Sequence, residues 1–435
     1  MVVVRDVVCP FCGCLCDDLE VTVEGNEIIG TRNACAISRS KFMNHLENRI
    51  TAPTVNGRSA TLGEAVEAAA EILASARRPL IYGLSSTECG AVARAVELAE
   101  VVGGVIDNTS SVCHGPTILA LQAVGESRCT LGEVKNRADL IIFWGCNPTE
   151  AHLRHLSRYS GTARGLYTPE GRGDRYIVAV DVRETNMRRV ADLFLKIAPN
   201  RDYELLSALR ATVRGGGIQA EAVAGIPRQR IEELAERMRG ARMGVIFFGL
   251  GLSQSEGRHM NIDAAVGLVA DLNRHTKFVL MPMRGHYNVV GANAVNAWQT
   301  GYPYAVDLSR GYPRYNPGEY SSVDLLARRE ADAVLVIASD PAAHLPADAA
   351  RHLARIPVIA LDPKVNMTTM LSGVVFPVAA AGIEAEGTAY RMDGIPIRLR
   401  KVVEPPDGVL PDAEVLRMII DRVRALKGGD LRCGT

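Results

Sequence analysis

The first 35 residues contain a cluster of cysteines whose spacing suits metal ligation. Cys9, Cys12, Cys16 and Cys35 follow the pattern Cys-x2-Cys-x3-Cys-x18-Cys, and Cys14 is a further thiol inside the loop. Four thiolates arranged in this way are typical ligands of a [4Fe–4S] cluster. A structural zinc site is the rival interpretation, but such sites usually pair two Cys-x2-Cys knuckles, and this segment has one. The spacing therefore favours an iron–sulfur cluster over zinc, and a set of disulfides is least favoured.

A cysteine followed directly by a histidine, Cys113 and His114, comes after a predicted strand and a polar turn. Such a pair can be a nucleophile with its base, a metal ligand with a proton acceptor, or two side chains without chemistry. Neighbouring residues of a strand point to opposite faces, whereas in a loop both side chains can converge. Taken alone, the pair favours the interpretation without chemistry, and all three stay open.

Polar residues and glycines recur where predicted strands end. Ligands of open α/β sheets bind beyond the carboxyl ends of the strands. The residues at these ends are Gly83, Asn147, Asp181, Gly249, Asp340 and Asp362. For any single one, a role in a turn is the simpler interpretation. Together they favour a large, phosphate-bearing ligand.

The elements that position these residues alternate between strand and helix. Strands are predicted at residues 79–83, 105–107, 140–144, 177–180, 243–248, 278–281, 333–337 and 358–361. Helices are predicted at residues 62–76, 91–102, 204–213, 230–239, 261–272 and 412–426. The alternation predicts parallel sheets covered on both faces. Before it, residues 19–23 and 27–30 are predicted to form two short strands, and residues 302–320 are predicted to form a long ordered loop.

In combination, these motifs resemble the bis-molybdopterin oxidoreductases typified by formate dehydrogenases. Among them, the chain most resembles the B subunits of archaeal formylmethanofuran dehydrogenase, which contain tungsten or molybdenum. The resemblance rests on residues 7–12 with 33–35, 106–109 with 112–116, 145–148, 181–185, 200–203, 249–251, 283–288 and 384–388. Each motif is short, but their joint order along nearly the whole chain is specific.

The resemblance implies a role for each candidate residue. Cys113 would bind tungsten or molybdenum beside the dithiolene sulfurs of two molybdopterin guanine dinucleotides. His114 would shuttle the proton of the formate carbon, and Arg284 would hold the formate or carbon dioxide oxygens. Arg39 or Lys41 would lie between the cluster and a pterin. The other cofactor contacts would be Asn147, Asp181, Arg183, Asp202, Gly249, Gly251, Ser339, Asp340 and Asp362.

The implied fold is α/β and similar to domains I–III of formate dehydrogenase and DMSO reductase. It would comprise a small iron–sulfur domain, residues 1–55, and two Rossmann-like pterin-binding domains. The first is predicted at residues 56–137 and 322–435, and the second is inserted at residues 138–321. The C-terminal β-barrel domain of longer relatives is expected to be absent, with a small separate subunit in its place.

The implied activity is that of a redox subunit that reversibly reduces carbon dioxide to formate by two electrons. Polyferredoxin-type iron–sulfur subunits would exchange electrons with the cluster. A zinc amidohydrolase-like subunit would receive the formate and join it to methanofuran. A stand-alone formate dehydrogenase-type oxidoreductase remains an alternative, as does a cofactor-free scaffolding subunit of a formyltransferase complex or a zinc-stiffened binding module. The sequence does not choose between tungsten and molybdenum.

Composition excludes some other classes of protein. Lys+Arg and Asp+Glu both number 49, so the formal net charge is zero. Because no dense basic run occurs, a nucleic-acid partner is not expected. No apolar run is long enough to span a bilayer, and the N-terminus lacks the features of a secretory leader. A cytoplasmic protein without a membrane span is therefore expected.

Overall fold

The computed structural model describes the backbone of residues 1–430 and the side chains of residues 1–428. The described residues group into two units by their internal contacts. Unit 1 comprises Met1–Val112, His286–Arg391 and the segment from Pro396 onward. Unit 2 comprises Cys113–Gly285 and Met392–Ile395.

The strands and helices of the described residues follow in chain order. The strands are β1 (Val2–Val7), β2 (Leu19–Glu24), β3 (Glu27–Arg32), β4 (Thr54–Val55), β5 (Arg58–Ser59), β6 (Pro79–Gly83), β7 (Val105–Asn108), β8 (Leu140–Trp144), β9 (Tyr176–Asp181), β10 (Leu193–Lys196), β11 (Ala222–Val223), β12 (Ile226–Pro227), β13 (Met243–Phe248), β14 (Lys277–Pro282), β15 (Val306–Asp307), β16 (Arg314–Tyr315), β17 (Ala333–Ile337), β18 (Val358–Leu361), β19 (Val374–Phe376), β20 (Gly387–Tyr390) and β21 (Pro396–Leu399). The α-helices are α1 (Ala36–Met43), α2 (Leu62–Ser75), α3 (Cys89–Val102), α4 (Gly115–Val124), α5 (Leu131–Arg137), α6 (Pro148–Ala151), α7 (Asp202–Val213), α8 (Arg228–Gly240), α9 (Leu250–Ser253), α10 (His259–Leu272), α11 (Val289–Thr300), α12 (Ser322–Ala327), α13 (Pro341–His344), α14 (Ala347–Leu353), α15 (Met367–Leu371) and α16 (Asp412–Asp430).

A nine-stranded sheet in the order β16-β15-β7-β6-β17-β18-β19-β4-β5 forms the centre of unit 1. Its five middle strands, β7 to β19, are parallel, and antiparallel strands flank them on both sides. Strands β6, β7, β17 and β18 are buried along their whole length. This burial explains the continuous apolar runs of β6, β17 and β18, because a parallel sheet is covered on both faces. Apolar residues of α2, α3 and α16 join them in one core.

Unit 2 is built on a five-stranded sheet in the order β10-β9-β8-β13-β14. All of its neighbouring strands are parallel. Its core includes apolar residues of α7, α8 and α10. After β8, the chain adds β9 and β10 on one side of β8. It later adds β13 and β14 on the other side. The strand order therefore reverses between β8 and β13, which is where open α/β sheets bind ligands. In unit 1 the same reversal occurs between β6 and β17.

A small antiparallel sheet, β1-β2-β3, begins unit 1. The first three predicted cluster cysteines lie in the loop between β1 and β2, and Cys35 immediately precedes α1. Apolar residues from this loop pack with residues near β20 and β21, among them Val8, Leu15 and Leu399. The cysteine loop therefore has an apolar support within unit 1.

The prediction of an α/β fold with parallel sheets is confirmed. Each predicted strand and helix is present, most with bounds shifted by one to three residues. The elements that were not predicted include strands β1, β10 and β19 to β21 and helices α4, α5 and α11, and the predicted loop 302–320 contains the short strands β15 and β16. No helix in the described part of the chain combines the length and apolar character that crossing a bilayer requires.

The grouping into units differs from the predicted domain boundaries in three segments. Residues 113–137 and 392–395 belong to unit 2, and residues 286–321 belong to unit 1. Sheet pairing explains the last of these differences, because β15 hydrogen-bonds to β7 in the unit 1 sheet. A separate iron–sulfur domain at residues 1–55, and the division into three domains, stay predictions.

Candidate active site

His114 is the most deeply buried of the three predicted catalytic residues. It precedes α4 as the N-cap residue but makes no side-chain cap, and only 1% of it is exposed. Its Nδ1 atom lies 3.1 Å from the hydroxyl of Thr117, whereas its Nε2 atom is buried without a hydrogen-bond partner. Buried polar atoms are nearly always hydrogen-bonded. The unpaired nitrogen is therefore available to a bound group.

The surroundings of His114 favour the neutral imidazole. Burial lowers the pKa of His114 well below its usual value, and the charge of Arg284 lowers it further. The nearby backbone carbonyl of Met283 opposes this shift. A neutral imidazole has one nitrogen that can accept a proton. His114 is therefore in the protonation state that a proton acceptor requires.

Arg284 carries a guanidinium into the interior of unit 2, directly after β14. Its residue is 6% exposed, and its Nε and Nη1 atoms have no hydrogen-bond partner. Burial lowers the pKa of Arg284, while nearby Cys113 and Glu126 act in the opposite direction. Burying a charge without a partner costs several kcal/mol. Donors held in this way suit a planar anion such as a carboxylate.

Cys113 lies near Arg284 and is held through its backbone. Its carbonyl oxygen accepts hydrogen bonds from the Ser253 hydroxyl at 3.3 Å and from the Gln254 amide at 2.7 Å. Burial raises the pKa of the Cys113 thiol, and the charge of Arg284 opposes this shift. A buried thiol with a raised pKa is not a free nucleophile, although metal coordination deprotonates such a thiol outright.

Glycines at the ends of β8 and β13 bring two loops into contact at the reversal of the unit 2 sheet. The backbone nitrogen of Gly251 donates to the Gly145 carbonyl at 2.9 Å. A Cβ atom at Gly145 would lie 2.7 Å from the Gly251 backbone, and Gly145 has a φ of +57°. A Cβ atom at Gly249 would lie 2.7 Å from that of Cys146. A Cβ atom at either position would clash, so only glycine allows this approach.

Three further predicted contacts lie at the same edge of the unit 2 sheet. Asp202 accepts a hydrogen bond from the Trp144 indole at 2.7 Å, but its second oxygen is buried without a partner. The amide nitrogen of Asn147 is also buried and unpartnered. Asp181 ends β9, and one of its oxygens accepts from the Arg183 backbone at 3.3 Å. The unpaired atoms of Asp202 and Asn147 are those that a polar ligand would satisfy.

The predicted cluster cysteines of unit 1 come together around one short loop. The backbone nitrogen of Cys9 donates to the Cys16 carbonyl at 2.9 Å. Ser38 of α1 connects the other side: its hydroxyl lies 3.2 Å from the Cys9 sulfur and its backbone nitrogen 3.4 Å from the Cys35 sulfur. Cys9 and Cys16 are buried, whereas Cys12 and Cys35 are partly exposed.

The spacing of these cysteines bears on the choice between zinc and iron. Among the described residues, no three His, Cys, Asp or Glu side chains converge closely enough to hold a single metal ion. A structural zinc ion needs four ligands around one point. A four-iron cluster instead takes one thiolate at each iron, so its cysteines surround a larger volume. The choice between zinc and an iron–sulfur cluster stays a prediction.

A cavity of about 290 Å³ lies in unit 1 beside the cysteine loop. Its wall includes Phe11 from that loop and Lys41 of α1, whose ammonium lies 5.3 Å from the Phe11 ring centre. Tyr287 and Asp412 also line it, and each has a buried oxygen without a partner. The other oxygen of Asp412 accepts from the Thr87 hydroxyl at 2.8 Å. The cavity thus combines an apolar wall with unsatisfied polar groups, as a cofactor site does.

The remaining predicted contacts of unit 1 have structural partners. Asp340 accepts from the backbone and hydroxyl of Thr368 at 2.9 and 2.7 Å. Asp362 accepts from the Lys364 backbone at 2.9 Å and from the Asn366 amide at 3.0 Å. Ser339 follows β17 at the sheet reversal, close to Gly83. For the two aspartates the structure shows loop-forming roles, and their part in cofactor binding stays a prediction.

Comparison with known proteins identifies the family. The family model described as "Molybdopterin oxidoreductase" matches residues 64–422. The chain is 55% identical to the B subunit of tungsten-containing formylmethanofuran dehydrogenase 2 from Methanocaldococcus jannaschii, over 98% of this chain and 99% of that protein. The chain belongs to the formylmethanofuran dehydrogenase B subunits, a branch of the molybdopterin oxidoreductases. The corresponding B subunit from Methanococcus maripaludis is 49% identical, over 98% of this chain and 100% of its own length. The predicted family and enzyme class are confirmed.

Solved structures agree with this place among the molybdopterin oxidoreductases. A chain of the formyltransferase/hydrolase complex from Methylorubrum extorquens, crystallised with methylofuran, matches with a TM-score of 0.70 and 27% identity, over 87% of this chain and 99% of that one. Acetylene hydratase from Pelobacter acetylenicus matches with a TM-score of 0.74 over 97% of this chain and 69% of its own. At 14% identity, the second match shows the fold alone.

The sequence alone did not single out several residues that lie near the predicted catalytic residues or line the unit 1 cavity. His152 contacts the Arg284 backbone, Gln254 holds the Cys113 carbonyl, and Asp412 lines the cavity of unit 1. Glu126 is a buried carboxyl with one unpaired oxygen. For His152 the sequence offers a weak signal, because this residue lies at a short helix that follows the end of a strand. For the others, no local pattern reveals which distant segment they meet.

Proposed function

We propose that this chain is the redox-catalytic subunit of a formylmethanofuran dehydrogenase and interconverts carbon dioxide and formate. One observation carries the proposal. In unit 2 the buried charge of Arg284, which has unpaired donors, acts to lower the pKa of both Cys113 and the neutral His114. These are the ligand, proton acceptor and carboxylate clamp that formate chemistry requires.

The residues present fit the cofactors that the family implies. Cys113 would be the protein ligand of tungsten or molybdenum, since a soft thiolate suits these metals. In unit 2 the free oxygen of Asp202 could accept an N–H of a guanine edge. The glycines at positions 145, 249 and 251 leave backbone open to a phosphate or pterin. In unit 1 the cavity at Lys41 and Asp412 is of a size and polarity that suits a pterin ring. When bound, the metal and its two molybdopterin guanine dinucleotides would supply the two-electron chemistry.

The protein's own groups would handle the substrate and its proton. Arg284 would donate from Nε and Nη1 to the oxygens of formate. Oxidation of formate breaks its C–H bond and yields carbon dioxide, one proton and two electrons. Neutral His114 would take that proton and return it in the reverse direction. Because both side chains are buried, bulk water would not compete for either role.

We further propose that Cys9, Cys12, Cys16 and Cys35 hold a [4Fe–4S] cluster that relays the electrons. Two of the four cysteines are partly exposed, which leaves one side of the site near the surface. Electron exchange with polyferredoxin-type subunits would take place from that side. Lys41 lies beside Phe11 of the cysteine loop and in the cavity wall, so it would stand between cluster and pterin.

The proposed assembly is a complex of several subunits. The matching Methylorubrum extorquens chain comes from a formyltransferase/hydrolase complex, and the closely similar archaeal proteins are named as B subunits. In this chain's complex, a zinc amidohydrolase-like subunit would join formate to methanofuran. A small further subunit would complete the pterin site.

Analysis of the complex purified without oxygen tests the proposal. We expect tungsten or molybdenum, two pterin equivalents and four cluster irons for each copy of this chain, together with formate oxidation by an artificial dye. Co-purification of an amidohydrolase-like subunit would separate this function from a stand-alone formate dehydrogenase. A complex that holds neither pterin nor a group-6 metal would overturn the proposal in favour of a scaffolding subunit.

A further inference from the structure

A second buried histidine, His152, reaches the backbone of Arg284. It is the C-cap residue of α6, and 4% of it is exposed. Its Nε2 atom lies 2.8 Å from the Arg284 carbonyl oxygen. A carbonyl can only accept, so Nε2 must be the protonated nitrogen of the ring. Burial lowers the pKa of His152, and the ring is therefore a neutral N–H donor.

The segment that carries Arg284 has little other support. Its last bond to the unit 2 sheet is the one from the Met283 backbone nitrogen to the Phe248 carbonyl, at 2.8 Å. The next residue, Gly285, has open space around its Cα atom. The hydrogen bond from His152 to the Arg284 carbonyl therefore fixes the backbone that carries the Arg284 side chain. A displacement of this backbone moves the guanidinium donors of Arg284 away from the position that formate binding requires.

His152 is itself held in place by the segment that follows it. Its carbonyl accepts from the His155 backbone nitrogen at 2.7 Å. The His155 ring packs edge-on against Phe247 of β13, with 4.6 Å between centroids, and its Nδ1 atom lies 2.9 Å from the Ser160 hydroxyl. Residues Leu156–Ser160 form one π-helical turn, a rare geometry that is frequent at functional sites. His152 is therefore held by a backbone hydrogen bond that does not depend on the His155 ring, whose own contacts are to Phe247 and Ser160.

We propose that His152 is a positioning residue that aligns the Arg284 guanidinium for a one-carbon carboxylate. The inference rests on the proposed function, since it assigns His152 a role in binding formate. His155 supplies the contrast, because it is buried in the same segment and forms no hydrogen bond with Arg284. A general effect on packing would follow from changes at either histidine. A positioning effect would follow from changes at His152 alone.

Three variants of the intact complex test this role: His152→Met, His152→Gln and, as the matched control, His155→Met. Methionine fills the space without a donor, whereas the glutamine amide can replace the Nε2–H group. KM and kcat for formate are measured with an artificial electron acceptor, and tungsten, molybdenum and iron are determined on the same samples. Metal content reports folding and loading independently of turnover.

We expect His152→Met to raise KM roughly five- to tenfold, the effect of one lost hydrogen bond, with kcat changed by about twofold at most. His152→Gln should restore most of the lost affinity, and His155→Met should leave KM unchanged. All three should retain their metals.

An unchanged KM in His152→Met would overturn the inference, as would an equal KM effect in His155→Met. The same holds for a loss confined to kcat and metal content, which would indicate a purely structural role. A wild-type complex that contains its metals but never oxidises formate would instead overturn the proposed function, and this inference with it.

Discussion

Arg284 shows what a single residue can reveal about a missing ligand. Its guanidinium is buried with two unpaired nitrogens, whereas Arg175, another buried arginine of unit 2, donates to the Gly171 carbonyl at 3.0 Å and to the Lys135 carbonyl at 2.7 Å. The contrast lies in what surrounds the two charges. The fold supplies partners for both terminal nitrogens of Arg175 and leaves only its Nε unpaired, whereas Arg284 has both Nε and Nη1 without a partner. Formate, the proposed substrate, is the anion that would pair with these nitrogens of Arg284.

We therefore expect Arg284→Lys to raise KM for formate by roughly tenfold or more, because an ammonium cannot form the paired, planar contact. Tungsten or molybdenum content should stay at the wild-type level. Arg210→Lys is a suitable control, since Arg210 pairs with Asp271 in the same unit. Steady-state kinetics of the complex check the prediction, and unchanged constants for Arg284→Lys would refute the clamp.

Cys113→Ala should abolish formate oxidation while the iron content persists, because the proposed cluster ligands all lie elsewhere in the sequence. Cys129→Ala is the matched control: Cys129 is also buried in unit 2, and its sulfur contacts that of Met281. Dye-linked activity and iron analysis provide the readouts. Turnover retained in Cys113→Ala would show that this thiol is not an essential ligand.

At the scale of elements, the close contact between the loops that follow β8 and β13 depends on glycine. We expect Gly145→Ala to destabilise the chain by about 2 kcal/mol or more, because the added Cβ atom would clash with the Gly251 backbone at a positive φ. Gly240→Ala is the control, since Gly240 lies in α8 with nothing near its Cα atom. That change should be neutral or slightly stabilising. Urea unfolding followed by circular dichroism compares the two variants.

A buried ion pair fastens several segments of unit 1 around the cavity. Arg49 pairs with Glu384 at 2.6 Å, and both side chains are almost fully buried. Arg49 also donates to the carbonyls of Pro363 and Val378. Removal of one partner leaves the other charge buried alone, so Arg49→Ala should cost roughly 3–5 kcal/mol of unfolding free energy.

The exposed pair of Arg398 and Glu386 provides the comparison for Arg49. Arg398→Ala should leave the free energy of unfolding almost unchanged, because solvent screens such pairs. Replacement of both Arg49 and Glu384 by apolar residues should recover part of the loss. Equal effects of the two arginine changes would show that the Arg49 pair contributes nothing beyond a surface contact.

At the scale of the whole molecule, unpaired buried atoms occur in both units. Asp202 and Arg284 carry them in unit 2, and Tyr287 and Asp412 carry them in unit 1. Ligands that satisfy such atoms bind the folded chain and not the unfolded one, and so stabilise it. Protein produced without tungsten and molybdenum should therefore unfold about 5 °C or more below the loaded form. Differential scanning calorimetry under nitrogen, with pterin analysis of each sample, measures this difference, and equal transition temperatures would contradict it.

The sequence by itself determined the local parts of this protein. Apolar periodicity located the strands and helices that were predicted to within a few residues, because burial on both faces of a parallel sheet leaves a continuous apolar run. The spacing of Cys9 to Cys35 and the order of the short motifs determined the family, since both are properties of the chain's order alone. The grouping into units depends on contacts such as the pairing of β15 with β7, which joins distant segments and which no local pattern encodes.

Only the tertiary structure decided which polar groups are satisfied. Asp340 and Asp202 look alike in sequence, yet the first has its partners in a loop and the second keeps one oxygen free. His152 and His155 are three residues apart, and only the first meets Arg284. The physical reason is that hydrogen-bond satisfaction and burial depend on which distant segments converge. Residue types and spacing set the chemistry that is available, and the fold selects where that chemistry is left unpaired and ready for a ligand.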